Sequence, residues 1–179
     1  MTTFTSPLKL PFANTPEFEM ALGKFFAAWS RAELAIDYAT WKYSGTETPE
    51  QAHERCADAT FSDKCKLLER LLKSEHAREL LNEIASYGRN VFAHSFLATD
   101  EDSVTFIHRA MDRTVKPKKY QVTAYEIPRS KFIEYVREFV RTVSDFERAA
   151  NLPDNAIREF ASMALPLTEE KAPSDQRLP

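Results

Sequence analysis

The chain has 179 residues, 43% hydrophobic and 28% charged, with a formal net charge of −3 at pH 7; this is enough to bury a core, and any polyanion would have to be held by a local basic patch rather than by overall charge. Glycine is confined to Gly23, Gly45 and Gly88, and neither G-x-G-x-x-G nor G-x-x-x-x-G-K-S/T occurs, which excludes glycine-cradled dinucleotide and P-loop chemistry. Cys56 and Cys65 form no C-x-x-C pair and point to a reducing compartment rather than a disulfide scaffold.

The first residues carry Pro7 and Pro11 and no apolar run of signal-peptide length, and no stretch approaches the roughly eighteen apolar residues of a membrane span. The expectation is a cytoplasmic protein without a membrane partner. Asn14 and Thr15 offer capping oxygens, Pro16 suits a first turn, and Phe18, Leu22, Phe25, Trp29, Ile36 and Tyr43 recur at helical spacing until Ser44 and Gly45. A helix of about 28 residues, roughly 40 Å long, follows from that pattern. A second helix opens at Thr48-Pro49 and runs through Glu50, His53 and Cys56. A third follows a break near Thr60 to Ser62, with Cys65, Leu68, Leu71 and Leu72 facing inward. The fourth is expected to run without interruption from about Ala77 through Leu80, Leu81, Ile84, Tyr87 and Val91 to His94, with Gly88 inside it.

The periodicity then changes. Thr99 to Ser103 is a polar turn, Val104, Phe106 and His108 alternate with polar neighbours, and Tyr120, Val122 and Ala124 alternate again after Pro117. This predicts a β-hairpin over about 103–125. A last long helix starts near Pro128 with Phe132, Val136, Phe139, Val143 and Phe146 on one stripe, and Asn151, Leu152 and Pro153 stop it; a short helix over Asp154 to Met163 follows. The expected organisation is a single all-α domain over 1–165, an antiparallel bundle of amphipathic helices with the hairpin inserted, and a disordered tail over 166–179.

Chemistry has few places to reside. Of His53, His76, His94 and His108, only Glu50 and His53 show Glu-x-x-His spacing, which a di-iron bundle needs twice, and no H-E-x-x-H exists. No metal and no other cofactor is expected. Ser30, Ser86 and Ser95 lack the surroundings of an activated hydroxyl, and Cys65 sits among leucines.

The remaining segment is Tyr87-Gly88-Arg89-Asn90-Val91-Phe92-Ala93-His94. A guanidinium pairs with phosphate and stabilises added charge, while an imidazole moves a proton near neutrality. Residues five apart on an ideal helix are about 140° apart around the axis and about 7.5 Å along it, so Arg89 and His94 share a face only if the arginine wraps round or the helix distorts; Asn90 and His94, four apart, do share one. A second interpretation stands beside this one. His94 extends the apolar face of Leu80, Ile84, Tyr87 and Val91 and fits a core histidine, and Arg89 fits a surface cation.

The segment resembles the hallmark of the HEPN superfamily, an Arg followed after four to six residues by His, often with Asn directly after the Arg and a small residue before the His. Here it reads Arg89-Asn90-Val91-Phe92-Ala93-His94. The order of elements over about 18–150 is also similar: a long first helix with Trp29 and Glu33, a middle helix after Phe61-Ser62-Asp63-Lys64, the motif helix and a closing helix. The resemblance implies an antiparallel up-and-down four-helix bundle and a homodimer in which two copies of the motif face each other. It also implies a metal-independent endoribonuclease that leaves a 2′,3′-cyclic phosphate, in a toxin, antiphage or RNA-processing role. His94 would transfer the proton, Arg89 would stabilise the phosphate, and Asn90 would be a polar helper. In members paired with a nucleotidyltransferase antitoxin, a Tyr stands two residues after the His; here Phe96 does, which argues against neutralisation by modification at that position. An antitoxin or other protein partner is otherwise left open.

Glu33 falls on the apolar face four residues after Trp29 and is expected to pair with Arg89 or Lys64, or else to lie solvated at the edge of the stripe. Arg109, Arg113, Lys116, Lys118 and Lys119 cluster on the hairpin, offset by Asp112, either to hold RNA phosphates or to keep an edge strand soluble. The leading expectation is therefore a dimeric ribonuclease. Its competitors are a non-catalytic bundle of the same kind that binds a nucleotide, RNA or a protein, and a purely structural helical protein.

Overall fold

In a computed structural model the described residues are 16–45, 48–99, 102–112 and 119–163, with the side chains of 90, 91, 94, 96–99, 109–112 and 119–121 outside the description. The expected tail over 166–179 and the caps Asn14 and Thr15 lie outside the described residues. The elements are α1 (Pro16–Ser44), α2 (Pro49–Ala57), α3 (Phe61–Leu71), α4 (Glu75–Ser86), α5 (Arg89–His94), β1 (Ser95–Thr99), β2 (Ser103–Asp112), β3 (Lys119–Pro128), α6 (Arg129–Ala149) and α7 (Asp154–Met163). The chain is an all-α bundle with an antiparallel hairpin inserted between α5 and α6.

Local chemistry accounts for most boundaries. Thr48 and Gln51 form a reciprocal capping box with Pro49 at the first turn of α2. Thr60 caps α3 by accepting from the Asp63 N–H. Gly45 takes φ +69° directly after α1, the left-handed conformation that a side chain disfavours. Asn151 does the same after α6 at φ +49°, and there the Leu152 N–H reaches the Glu147 carbonyl and the Asn151 N–H that of Arg148. This is the Schellman pattern, which satisfies carbonyls the helix end would leave open.

The chain divides into two compact units, each discontinuous in sequence. The first contains residues up to 30 and 86–144. Its core is aromatic: Phe18, Phe25, Phe106, Phe132 and Phe139 are fully buried. The three strands form one antiparallel sheet in the order β1-β2-β3, with Phe96 opposite Ile107 and Phe106 opposite Tyr125. Alternation places Val104 and Phe106 on the inner face, where Phe106 meets Phe132 at 5.5 Å.

The second unit contains residues 31–85 and 145–179, with Ala32, Ala35, Ile36, Leu68, Leu81, Ile84, Ile157 and Phe160 buried. Arg31 joins its parts by bonding both carboxylate oxygens of Glu147, at 2.5 and 3.0 Å, and by pairing with Asp154 at 2.7 Å. The fork of two parallel N–H bonds holds the guanidinium more firmly than a single contact would.

One expectation is corrected and another is extended. The fourth helix is not continuous to His94: α4 ends at Ser86 and α5 begins at Arg89. At Gly88 (φ −78°, ψ 52°) the Arg89 N–H bonds the Tyr87 carbonyl at 2.8 Å, an inverse γ-turn, and the Gly88 N–H donates to the Tyr135 hydroxyl rather than to a helical carbonyl. The sheet, in turn, is more than the hairpin expected over 103–125. Its two strands extend to Asp112 and Pro128, and β1 pairs along β2 as a third strand. Ser95–Thr99 is short and not strongly patterned, so the edge of β2 determines its conformation.

Candidate functional site around helix α5

The γ-turn at Gly88 sets where Arg89 emerges. Its φ is negative, so the position does not demand glycine; what it demands is an N–H turned toward Tyr135. The Tyr135 hydroxyl lies 3.1 Å from that nitrogen, and burial pushes the phenol above its ordinary pKa. Tyr87, the first residue of the turn, packs on Tyr135 at 4.9 Å and on Phe139 at 4.6 Å. The bond from the Phe92 N–H to the Gly88 carbonyl then starts α5. Phe92 anchors this helix in the aromatic core, meeting Phe25 at 4.9 Å and Phe106 at 4.6 Å.

Arg89 is half-buried, and its guanidinium carbon stands 5.8 Å from the centre of the Trp29 ring. Trp29 is itself 3% exposed and stacked on Phe139 with an interplanar angle of 17°. A cation above an indole face is attracted by about 0.5–2 kcal/mol, and the charge keeps its N–H donors for other partners. Sequence reasoning placed Trp29 in the core and missed this contact. Nothing local signals it, since the two residues lie on different helices and meet only through the fold.

The other predicted site residues are distributed as follows. Asn90 and His94 are the second and last residues of α5, and His94 passes directly into Ser95 of β1; their side chains lie outside the described residues. Glu33 is half-buried in the second unit, where the carboxylate that Lys64 meets is that of Asp37, at 2.9 Å and one turn beyond Glu33. In the hairpin, Arg109 and Lys119 lie on β2 and β3 with Lys119 in backbone register with Asp112, whereas Arg113, Lys116 and Lys118 lie outside the described residues.

Elsewhere the chemistry is quiet. Among the described residues no group of His, Cys, Asp and Glu could hold a metal ion, and no helix is long and apolar enough to cross a membrane. His53 is half-buried, stacked on Phe160 at 3.9 Å with Nε2 3.1 Å from its carbonyl oxygen. Cys56 and Cys65 are free and buried, and burial raises their thiols to about 11 and about 12, so both remain protonated and inert at neutral pH. An open groove of about 640 Å³ between α1 and α6 is lined largely by apolar atoms of Met20, Ala21, Val136 and Val140.

No protein-family model, curated protein or solved structure matches the chain. The class defined by fold and composition is a helical bundle with an inserted antiparallel sheet, carrying an arginine and a histidine at the two ends of one short helix.

Proposed function

We propose that this protein is a metal-independent endoribonuclease of the HEPN kind, acting as a homodimer in a toxin or defence role. Arg89 holds and neutralises the scissile phosphate, His94 takes the proton of the ribose 2′-hydroxyl, and Asn90 assists by hydrogen bonding. The product is a 2′,3′-cyclic phosphate. The single observation that carries the proposal is the placement of Arg89. It opens a separate helix that ends at His94, and its guanidinium rests on Trp29, so a fixed cation and an imidazole-bearing residue bound the same six-residue element. The helical-bundle fold is compatible with that family, and Arg109, Arg113, Lys116, Lys118 and Lys119 would supply electrostatic attachment for RNA.

The test is incubation of purified wild type, Arg89→Ala and His94→Ala with RNA in EDTA. Cleavage by the wild type that leaves cyclic phosphate ends and is lost in both variants supports the proposal. Equal activity in all three marks a contaminant. RNA binding without cleavage assigns the chain to the non-catalytic reading.

A further inference from the structure

The first residue of β1 directly follows the end of α5. Ser95 lies opposite His108 in the β1–β2 ladder, and His108 lies opposite Thr123 on β3. Directly opposed residues project to the same face with Cβ atoms about 4.5–5.5 Å apart, so the three form one row across the sheet. Two residues before His108 on the same face is Phe106, buried against Phe92 of α5. His108 thus follows Val104 and Phe106 on that face as a half-buried imidazole. Its Nδ1 is shielded from solvent, as is the Ser95 Oγ, and neither has a hydrogen-bond partner among the described residues.

These two atoms are chemically matched. A serine hydroxyl donates to the Nδ1 of a neutral imidazole and accepts from the Nδ1–H of an imidazolium, and leaving buried polar atoms unpaired is costly. Rotation of the Ser95 side chain between its staggered wells is the short motion that would join them. Ser95 also follows His94 directly, with Cα atoms about 3.8 Å apart, so the ladder brings a second histidine beside the end of the motif helix.

We propose that His108, oriented by Ser95, is the second proton-transfer group of the ribonuclease site, an inference that rests on the function proposed above. As the 2′-oxygen bonds to phosphorus, its proton passes to His94. As the bond from phosphorus to the 5′-oxygen breaks, the His108 imidazolium delivers the Nε2 proton to that oxygen, while its Nδ1–H donates to Ser95 Oγ. One proton enters His94 and one leaves His108, and exchange with water restores both.

The test uses an RNA cleaved by the wild type, synthesised with either oxygen or sulfur at the bridging 5′ position of the scissile bond. A thiolate leaves without protonation, so it removes the need for a general acid. Acid catalysis by a positioned side chain is worth about 10²–10⁴-fold. His108→Ala should therefore cleave the oxygen substrate at least about 100-fold more slowly than wild type, yet cleave the sulfur substrate at close to the wild-type rate. His94→Ala should fail on both, and Ser95→Ala should show the His108 pattern in weaker form. His108→Gln, checked by circular dichroism, should reproduce the split if His108→Ala does not fold. Equal losses on both substrates in the folded His108 variants, or no loss on either, overturn the role of His108 alone. A wild type that cleaves no RNA overturns the ribonuclease reading and this inference with it.

Discussion

The Tyr135 hydroxyl accepts the Gly88 N–H at 3.1 Å across 47 positions of sequence, and this bond holds the chain out of helical geometry immediately before Arg89. Tyr135→Phe removes the acceptor while preserving the ring contacts with Tyr87 and Phe25. Loss of one part-buried hydrogen bond should cost about 1 kcal/mol, read as a lower urea midpoint at unchanged slope. RNA cleavage should fall by more than that stability loss alone would produce, because the start of α5 is no longer fixed.

Trp29 supports Arg89 and fills the core at once. Trp29→Leu should destabilise the fold by roughly 2–4 kcal/mol through lost packing. Trp29→Phe retains a ring face and should cost less. If the indole positions the guanidinium for phosphate, KM for RNA should rise more in the Leu variant than in the Phe variant. Steady-state kinetics at a temperature where both are folded makes the comparison.

The basic residues of the hairpin lend themselves to a salt test. Lys116→Glu, Lys118→Glu and Lys119→Glu together should weaken RNA binding and flatten the dependence of log affinity on log salt by about two to three. Filter binding across a salt series measures both. Unchanged affinity at low salt would leave the hairpin charges with a solubility role only.

Stability should fall at alkaline pH. The folded state holds the thiols of Cys56 and Cys65 up at about 11 and about 12, against an ordinary value of 9.0, and burial also raises Tyr43 and Tyr135. A group raised in this way contributes stability that is complete below its unfolded pKa and lost as pH climbs through the folded one. Urea midpoints should therefore be flat up to about pH 9 and decline from there toward pH 12. In Cys56→Ala/Cys65→Ala the decline should be shallower, and the wild-type thiols should react slowly with a thiol reagent at pH 8 until urea is added.

Helices were legible in the sequence wherever local pattern and burial coincide. Phe132, Val136, Phe139, Val143 and Phe146 follow the period of a helix, and all five are buried along α6. The endings at Gly45 and Asn151 were legible because their residue types suit the left-handed backbone found there. The candidate site was legible only as residue types: an arginine and a histidine with four residues between them are visible in any linear reading.

What surrounds that pair was decided by tertiary structure. Leu80, Ile84, Tyr87 and Val91 continue one helical period, and short-range pattern carries no information about a phenol 47 positions away that captures the Gly88 N–H. The indole under Arg89 lies 60 positions back, and β1 acquires its form from the unpaired edge of β2. Periodicity records which face of a segment prefers to leave water. Hydrogen bonds and cation–aromatic contacts between distant segments depend on where those faces come to rest, and only the assembled chain specifies that.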